Sequence, residues 1–350
     1  MPGTPPIFDG HNDVLLRLWE AGGRAAVPAF SSGDSGHIDL PRARKGGFAG
    51  GFFAIYVPSP GEGGDTLDAM AQPTYDLPLP APVAEKDARS VALEQADILQ
   101  EMENQGQLKI CRSTDQIRDC FTTNRLAAIM HMEGAEAIDP DFKALDAFHE
   151  RGLRSLGPVW SRPTIWGEGV PFRFPSDGDT GGGLTEHGKA LIQACNKRRI
   201  MVDLSHMTEA GFWDVANITD APLVATHSNV HAICPSARNL TDKQLAAIAE
   251  SGGMVGLNFA TAFLRPDGQM KADVPLEVML RHLDHMIAIL GEDGVGLGSD
   301  FDGAQVPEEI SDVSGLPMLV SAMERHDYGT DLIEKICYRN WLRVLDATWR

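Results

Sequence analysis

Five apolar, strand-like runs in this chain each end in side chains that bind metals or move protons. The runs end at His11-Asn12-Asp13, Met132-Glu133, Ser205-His206, Thr226-His227 and Ser299-Asp300-Phe301-Asp302. In a (β/α)8 barrel the carboxyl ends of the strands meet at one rim, and several strands contribute residues to a common site there. The pattern therefore predicts a barrel with a polar site at that rim.

Eight strand candidates begin near residues 7, 50, 126, 153, 201, 223, 254 and 295, and most are followed by a helix candidate. Some of these runs, such as residues 52–57, are continuously apolar, which is typical of parallel strands buried on both faces. The alternation predicts an α/β fold, a (β/α)8 TIM barrel with long active-site loops, in which residues 1–350 form a single domain. A doubly wound open sheet is the alternative, and it would gather ligands at one switch point rather than around a rim.

Helix signals lie between these strands. Residues 83–102 and 276–290 carry apolar side chains at helical spacing. The segment Thr241-Asp242-Lys243-Gln244 has the signature of a capping box, and Thr185 is expected to begin another helix. These signals support alternating strands and helices.

Proline and glycine mark the interruptions. Pro158 cannot donate a hydrogen bond to a ladder, so we expect the fourth strand to end early there. Residues 58–82 and 166–183 are rich in Gly and Pro, and we predict that both are long loops covering the active site.

The composition excludes several classes of partner. The formal charge of −19 argues against binding to nucleic acid or to an anionic membrane surface, and 43% hydrophobic residues exclude global disorder. The cysteines are odd in number, scattered and without a CxxC pair, which favours reduced thiols in a cytoplasmic protein; they are Cys111, Cys120, Cys195, Cys234 and Cys337. The start of the chain lacks the features of a signal peptide, and no run approaches the roughly 18 apolar residues of a membrane span.

His11, Asp13 and Glu133 are the first three candidate metal ligands. His11 and Asp13 are two residues apart on a strand, so both point to the same face. Such a pair alone is more often part of a turn or cap. Glu133 follows a buried apolar run, where a carboxylate needs a partner or a metal, and its two oxygens suit it to bridging two cations.

His206 and His227 each follow an apolar run and are separated by one apparent helix. Either alone could be a core or capping histidine. Together with the three earlier residues they form a nitrogen- and oxygen-rich set suited to two divalent cations. This composition favours two Zn²⁺ ions, with Mn²⁺, Co²⁺ or Fe²⁺ as substitutes.

Asp300 is the candidate general base, because it lies at the end of the last strand in a glycine-rich segment. Asp302, in the same segment, fits an Asx-turn residue better. Arg238 could bind a substrate carboxylate bidentately, although a lone arginine is more often an ordinary surface residue. His131 is more consistent with a hydrogen-bonded core histidine than with a ligand.

The motifs resemble those of the membrane (renal) dipeptidase family of zinc metallopeptidases, within the amidohydrolase-like barrels. They occur in the family's order over nearly the whole chain: Phe8-Asp9-Gly10-His11-Asn12-Asp13, His37-Ile38-Asp39-Leu40-Pro41, Met132-Glu133-Gly134, Val202-Asp203-Leu204-Ser205-His206, Thr226-His227-Ser228 and Gly298-Ser299-Asp300-Phe301-Asp302-Gly303. The resemblance implies a zinc-dependent dipeptidase in which a metal-bridging hydroxide attacks the peptide bond of a dipeptide. It also implies a bacterial-type, cytoplasmic member of the family. Whether the protein forms a homodimer is left open.

The same resemblance assigns roles to individual residues. His11 and Asp13 would hold one zinc, His206 and His227 the other, and Glu133 would bridge them. Arg238 matches the residue that binds the substrate's C-terminal carboxylate. Asp300 matches the residue that moves the proton.

Two positions depart from the family pattern. Trp160 stands where the family commonly has a histidine that binds the scissile carbonyl, and Ala260 stands where a tyrosine is frequent. Trp160 is therefore a candidate substrate-binding residue, and loss of a carbonyl donor would cost roughly 3 kcal/mol unless another group, such as His131 or Arg162, substitutes.

Two alternatives to the dipeptidase function stay open. One is hydrolysis of a related amide, such as an N-acyl amino acid, at the same metal site. The other is a non-catalytic, metal-containing binding protein.

Overall fold

A barrel of eight parallel strands forms the centre of the computed structural model, which describes residues 5–33, 36–60 and 65–350. The strands are Ile7–Asn12, Phe48–Tyr56, Leu126–Glu133, Leu153–Gly157, Met201–Val202, Val224–Ser228, Met254–Asn258 and Val295–Gly298. The first strand lies between the second and the eighth, and a parallel bridge from Asp203 to Val224 joins the fifth to the sixth. The predicted (β/α)8 barrel is confirmed, and the open-sheet alternative is wrong.

Helices connect the strands and surround the barrel. The longer α-helices are Glu85–Asn104, Thr114–Thr123, Lys143–Arg151, Glu186–Arg198, Glu209–Ile218, Asp242–Glu250, Leu276–Leu290, Leu316–Arg325 and Asn340–Trp349. The shorter ones are Val14–Glu20, Val27–Ser32, Leu40–Gly46, Asp65–Met70, Thr261–Leu264 and Thr330–Glu334. The 3₁₀ turns are Gly23–Ala26, Glu292–Gly294 and Val313–Gly315, and Lys335–Arg339 is a π turn.

The predicted helix starts are confirmed by their caps. The Thr185 hydroxyl accepts a hydrogen bond of 3.1 Å from the backbone N–H of Gly188. Thr241 and Gln244 form the complete capping box, in which each side chain accepts from the other residue's backbone N–H. Such a box satisfies two N–H groups that would otherwise lack partners at the helix end.

Several strands end earlier than the apolar runs predict. The fifth strand ends at Val202, four residues before His206, and the eighth ends at Gly298, two residues before Asp300. His206 and Asp300 have φ values of 65° and 61°, and a left-handed residue cannot continue a strand. The fourth strand ends at Gly157, directly before Pro158, as predicted.

The two predicted long loops meet above the barrel. Tyr75–Asp76 and Arg173–Phe174 pair as a small antiparallel sheet, so residues from both loops are held together. Residues 61–64 of the first loop lie outside the described residues. A short strand that the sequence analysis missed, Leu108–Ile110, pairs with the start of the third barrel strand.

Trp341, in the helix Asn340–Trp349, fills the interior of the barrel at the amino ends of the strands. Its side chain is fully buried, packs 5.0 Å from the ring of Phe52 and donates a hydrogen bond of 3.0 Å to the carbonyl of Leu297. A Cβ at Gly10 would lie 2.5 Å from the Trp341 ring, so glycine there makes room for the indole.

No helix in the described ranges has both the length and the apolar composition of a membrane span.

Candidate metal centre

Five predicted ligands converge at the carboxyl-terminal rim of the barrel. His11 and His227 lie within the first and sixth strands, Glu133 ends the third, and Asp13 and His206 follow the first and fifth. Their ligand atoms form two overlapping groups in which all members lie within 4.8 Å of one another: His11, Asp13 and Glu133, and Glu133, His206 and His227. All five side chains are buried although the residues are far apart in sequence.

Glu133 lies between the two halves of this cluster. Its Oε1 is 3.1 Å from His206 Nε2 and 3.3 Å from His227 Nε2. Its Oε2 is on the other side, 3.7 Å from His11 Nε2, which is itself 3.3 Å from Asp13 Oδ2. Each carboxylate oxygen therefore faces a different pair of side chains, which is the arrangement needed to share one carboxylate between two cations.

The surroundings of His11 are those that most clearly fit a cation. Both of its ring nitrogens are buried without a hydrogen-bond partner in the described part of the chain, which is a costly state for polar atoms. Burial favours the neutral ring, but the carboxylates of Glu133 and Asp13 outweigh it and raise the pKa of His11 to about 10. The cluster thus attracts positive charge at His11, and its donor set fits a divalent cation.

His206 and His227 are held as neutral imidazoles. Burial lowers the pKa of both rings well below the usual value, and the charges of Arg238 and His11 lower it further. The Nδ1 atoms lie 2.9 Å from hydroxyl oxygens, that of Ser161 for His206 and that of Thr226 for His227. These contacts orient both Nε2 atoms toward Glu133, and neutral imidazole is the form that binds metals.

Asp203 organises this side of the cluster, and the sequence analysis did not single it out. Its carboxylate accepts hydrogen bonds from the backbone N–H groups of Ser205 and Thr226, at 3.0 and 2.8 Å, and from the Thr226 hydroxyl at 2.6 Å. It thereby fixes both the turn before His206 and the residue before His227. The signal was an aspartate inside an apolar run, since a buried carboxylate needs partners.

Asp9 and Ser299 have a similar role on the other side and were also missed. The Asp9 carboxylate accepts bonds of 2.6 and 2.7 Å from the backbone N–H and the hydroxyl of Ser299, which links the first strand to the segment before Asp300. Burial raises the pKa of Asp9 to about 7, although the bonds from Ser299 and the charge of His11 oppose the rise.

Asp300 lies beside the cluster, and one of its carboxylate oxygens is within 4.8 Å of ligand atoms of His11 and His227. Asn258 Nδ2 donates a hydrogen bond of 3.0 Å to Oδ2, and burial raises the pKa of the carboxyl. A Cβ at Gly303 would lie 2.2 Å from Asp13 Oδ2 and 2.6 Å from Asp300 Oδ1. Glycine at 303 therefore lets these two carboxylates approach the same space.

Asp302 fixes the turn that carries Asp300. Its Oδ1 accepts a bond of 2.6 Å from the backbone N–H of His37, and its own N–H donates to His37 Nδ1 at 2.8 Å. Its Oδ2 accepts from Arg17 Nε at 3.1 Å. Both Asp300 and Asp302 have left-handed backbones, and strained residues of this kind are held in place by such contacts and cluster at active sites.

Arg238 is buried next to the cluster rather than exposed at the rim. Its Nε donates to His206 Nδ1 at 3.1 Å, and its two terminal nitrogens donate to the Ser228 hydroxyl and the His227 carbonyl at 3.1 and 3.0 Å. Burial lowers the pKa of Arg238 to about 10, against the charges of Asp300 and Glu133.

A cavity of about 390 Å³ opens over the cluster, lined in part by Asp13, Glu133, His206 and Asp300. Trp160 forms part of its wall, with ring centroids 5.1 Å from Tyr56, 5.6 Å from Phe172 and 5.8 Å from His206. The two side chains suggested as replacements for the family's histidine are not in this lining. Arg162 is fully buried against Glu136 and Ser59, and His131 packs on Ser155.

Comparison with known proteins agrees with this geometry. The family model described as membrane dipeptidase (peptidase family M19) matches residues 3–349. A metallo peptidase from Rhodobacter sphaeroides, solved with a phosphinate mimic of the dipeptide L-Ala-D-Ala, is 55% identical, with a TM-score of 0.97 over 99% of this chain and 100% of its own. The structure of dipeptidase AC, a metallo peptidase of family M19, is also 55% identical, with a TM-score of 0.96 over 99% of each chain.

A further relative is an uncharacterized protein encoded in the pqqA 5′ region of Klebsiella pneumoniae. It is 46% identical over 266 residues, which are 75% of this chain and 98% of the relative. The family match over almost the whole length, the close structural relatives and the clustered His, Asp and Glu side chains lead to one conclusion. The chain belongs to the membrane dipeptidase family, peptidase family M19, and is a metallo-dipeptidase that hydrolyses peptide bonds.

Proposed function

We propose that this dipeptidase binds two divalent cations, zinc in the cell, with Mn²⁺, Co²⁺ or Fe²⁺ as substitutes. His11 and Asp13 would hold one cation, His206 and His227 the other, and Glu133 would contribute one oxygen to each. The observation that carries the proposal is the split of the Glu133 carboxylate between the two pairs. The nitrogen and oxygen donors suit zinc.

Two such cations would supply a water of lowered pKa and would polarise the peptide carbonyl. We assign the transfer of the proton in that reaction to Asp300. Its buried carboxylate with a raised pKa accepts a proton from the attacking water and passes it to the departing amine. Asn258 holds the carboxylate in position through its hydrogen bond to Oδ2.

Arg238 binds the C-terminal carboxylate of the substrate in this proposal. The contact from Arg238 Nε to His206 Nδ1 requires that Nδ1 carry no proton. If Nε2 of His206 were a metal ligand, the neutral ring would carry its proton on Nδ1 and would donate this hydrogen bond to the Ser161 hydroxyl. The Nε–H of Arg238 would then be free to donate to a carboxylate of the substrate.

Trp160 and its aromatic neighbours form the wall against which a side chain of the substrate packs. The Rhodobacter sphaeroides relative holds a mimic of L-Ala-D-Ala, which supports a dipeptide as the substrate here.

We further propose that residues 1–350 act as one domain in the cytoplasm, and a homodimer stays a prediction.

Metal analysis and a substrate panel test the proposal together. Purified protein should contain two equivalents of metal and hydrolyse dipeptides faster than N-acyl amino acids. Glu133→Ala should lose at least one equivalent and most of its turnover, whereas Glu277→Ala, an exposed change on the helix Leu276–Leu290, should keep both. Retention of two equivalents in Glu133→Ala would refute the bridging role, and faster cleavage of N-acyl amino acids would replace the dipeptide assignment.

A further inference from the structure

One face of the helix Val14–Glu20 lines the cavity above the metal centre. Asp13, directly before the helix, Leu16 and Glu20 all belong to the lining. Their spacing of three and then four residues places them on one helical face, in a row that runs away from the metal centre. The row begins with a metal-site carboxylate, continues with an apolar side chain and ends with a second carboxylate.

Glu20 is the member of this row without a partner. It is exposed, and no hydrogen bond or ion pair joins it to any other residue within the ranges 5–33, 36–60 and 65–350. The other carboxylates of the lining are accounted for, because Asp13, Glu133 and Asp300 belong to the metal centre and Asp302 is paired with Arg17.

Among the described residues, Glu20 is therefore an unpaired negative charge at the far end of this row. The described lining of the cavity contains five carboxylates and neither lysine nor arginine. Two divalent cations, with four positive charges, would more than offset the three carboxylates at the metal centre, so Glu20, away from that centre, is the unpaired negative charge that a ligand can meet. A cationic group on the substrate is the complement of such a wall.

The length of the helix decides which cationic group can reach Glu20. Seven residues of helix place Glu20 about 10 Å along the axis from Asp13. The α-ammonium of a dipeptide lies one atom beyond the carbon next to the scissile carbonyl, and it stays close to the metal centre. The extended side chain of lysine spans roughly 6 Å, and the glutamate side chain covers most of the remainder.

The middle of the row suits the stem of such a side chain. Leu16 lies between Asp13 and Glu20, and Met70 and Met270 also line the cavity. Long cationic side chains pack their methylene groups on apolar surface while the charged end stays in water. Leu16 offers the apolar surface for the methylene groups, and exposed Glu20 offers a partner for the charged end in water.

We propose that Glu20 selects dipeptides whose N-terminal residue carries a long cationic side chain, lysine or arginine. The inference rests on the proposed function, in which Arg238 binds the C-terminal carboxylate. Arg238 contacts His206 on one side of Glu133, whereas the helix Val14–Glu20 follows Asp13 on the other side, so the N-terminal residue is directed toward that helix. Glu20 acts on binding of the substrate and has no part in the chemical step.

The test compares lysyl-alanine with norleucyl-alanine, whose side chain lacks only the ammonium group. The measured quantity is the ratio of their kcat/KM values with zinc-loaded enzyme. We expect the wild type to favour lysyl-alanine, Glu20→Gln to reduce the ratio about threefold, in the range of partly exposed ion pairs, and Glu20→Lys to reverse it. About 1 M salt should bring the wild-type ratio toward one. Glu277→Gln is the matched control, and it should keep the wild-type ratio.

The outcomes separate the two claims. A wild-type ratio near one, or a ratio that Glu20→Gln and Glu20→Lys both leave unchanged, overturns the role of Glu20 while the proposed function stands. If the zinc-loaded wild type hydrolyses neither dipeptide, the proposed function and this inference fail together.

Discussion

The two ends of the barrel differ in the polarity and packing of their interiors. At the amino ends of the strands the interior is apolar and closely packed, with Trp341 among Phe8, Phe52, Met201 and Met254. At the carboxyl ends the interior is polar, with left-handed residues and carboxylates whose pKa values are raised by burial. One end therefore supplies stability, and the other retains strain and charge that a function requires.

The largest expected effect comes from the charge at the carboxyl end. Asp300→Asn keeps the hydrogen-bonding shape but removes the carboxylate that we propose as the proton acceptor, and we expect turnover to fall about 10³-fold, or about 4 kcal/mol. Metal content should remain at the wild-type value. The melting temperature of the metal-free protein should not fall, because a buried carboxylate beside Asp13 has been removed.

Kinetics, metal analysis and thermal unfolding of the Asp300 variant measure these three quantities. Near-normal turnover would show that Asp300 does not move the proton. Normal stability together with lost turnover would strengthen the contrast between the two ends.

The amino end should show the opposite behaviour. Trp341→Ala leaves a large cavity among glycines that cannot fill it, and we expect the free energy of unfolding to fall by about 3–5 kcal/mol. The folded enzyme should keep its metals and its kcat. Denaturant unfolding measures the loss, and Trp349→Ala, a partly buried tryptophan nearer the surface, should cost clearly less. Loss of metal in folded Trp341→Ala would show that the two ends are coupled.

A smaller effect should arise from the contacts that hold the strained turn. Asp302→Asn tolerates the left-handed backbone but weakens the contacts to Arg17 and His37. We expect about a tenfold loss of kcat, with metals retained, because Asp300 is less well positioned. Asp312→Asn, which weakens a similar pair with Arg42 further from the site, is the control and should leave kcat unchanged. An unchanged kcat for Asp302→Asn would mean that the turn keeps its conformation without the contacts to Arg17 and His37.

The sequence predicted those features that depend on local pattern. The eight strands were found because buried parallel strands are continuous apolar runs, and the five clustered side chains were found because histidines and carboxylates are anomalous there. The short strand Leu108–Ile110 was missed because Lys109 interrupts its apolar pattern. The early end of the fifth strand was missed because the turn after Asp203 depends on side-chain bonds.

The walls of the cavity depend on tertiary contacts and could not be predicted in this way. Glu20 ends a short helix, and in the sequence it resembles any solvated charge. Phe172 lies in a loop and Phe263 in the short helix Thr261–Leu264, and their rings stack 6.1 Å apart beside the site although they are distant in sequence. In the sequence Arg238 resembles an ordinary surface arginine, whereas in the structure it is buried. Its three bonds, to the sixth strand and to His206, could not be predicted from the sequence.

The smallest predicted effect concerns a feature that the sequence showed directly. Thr241→Ala removes the hydroxyl of the capping box, and we expect a loss of about 1 kcal/mol in the free energy of unfolding. Metal content and kcat should not change, because the helix Asp242–Glu250 contributes no residue to the cluster. Thr122→Ala, at an exposed position within a helix, should be neutral or slightly stabilising. A fall in kcat for Thr241→Ala would extend the functional region beyond the strand ends to the helices behind them.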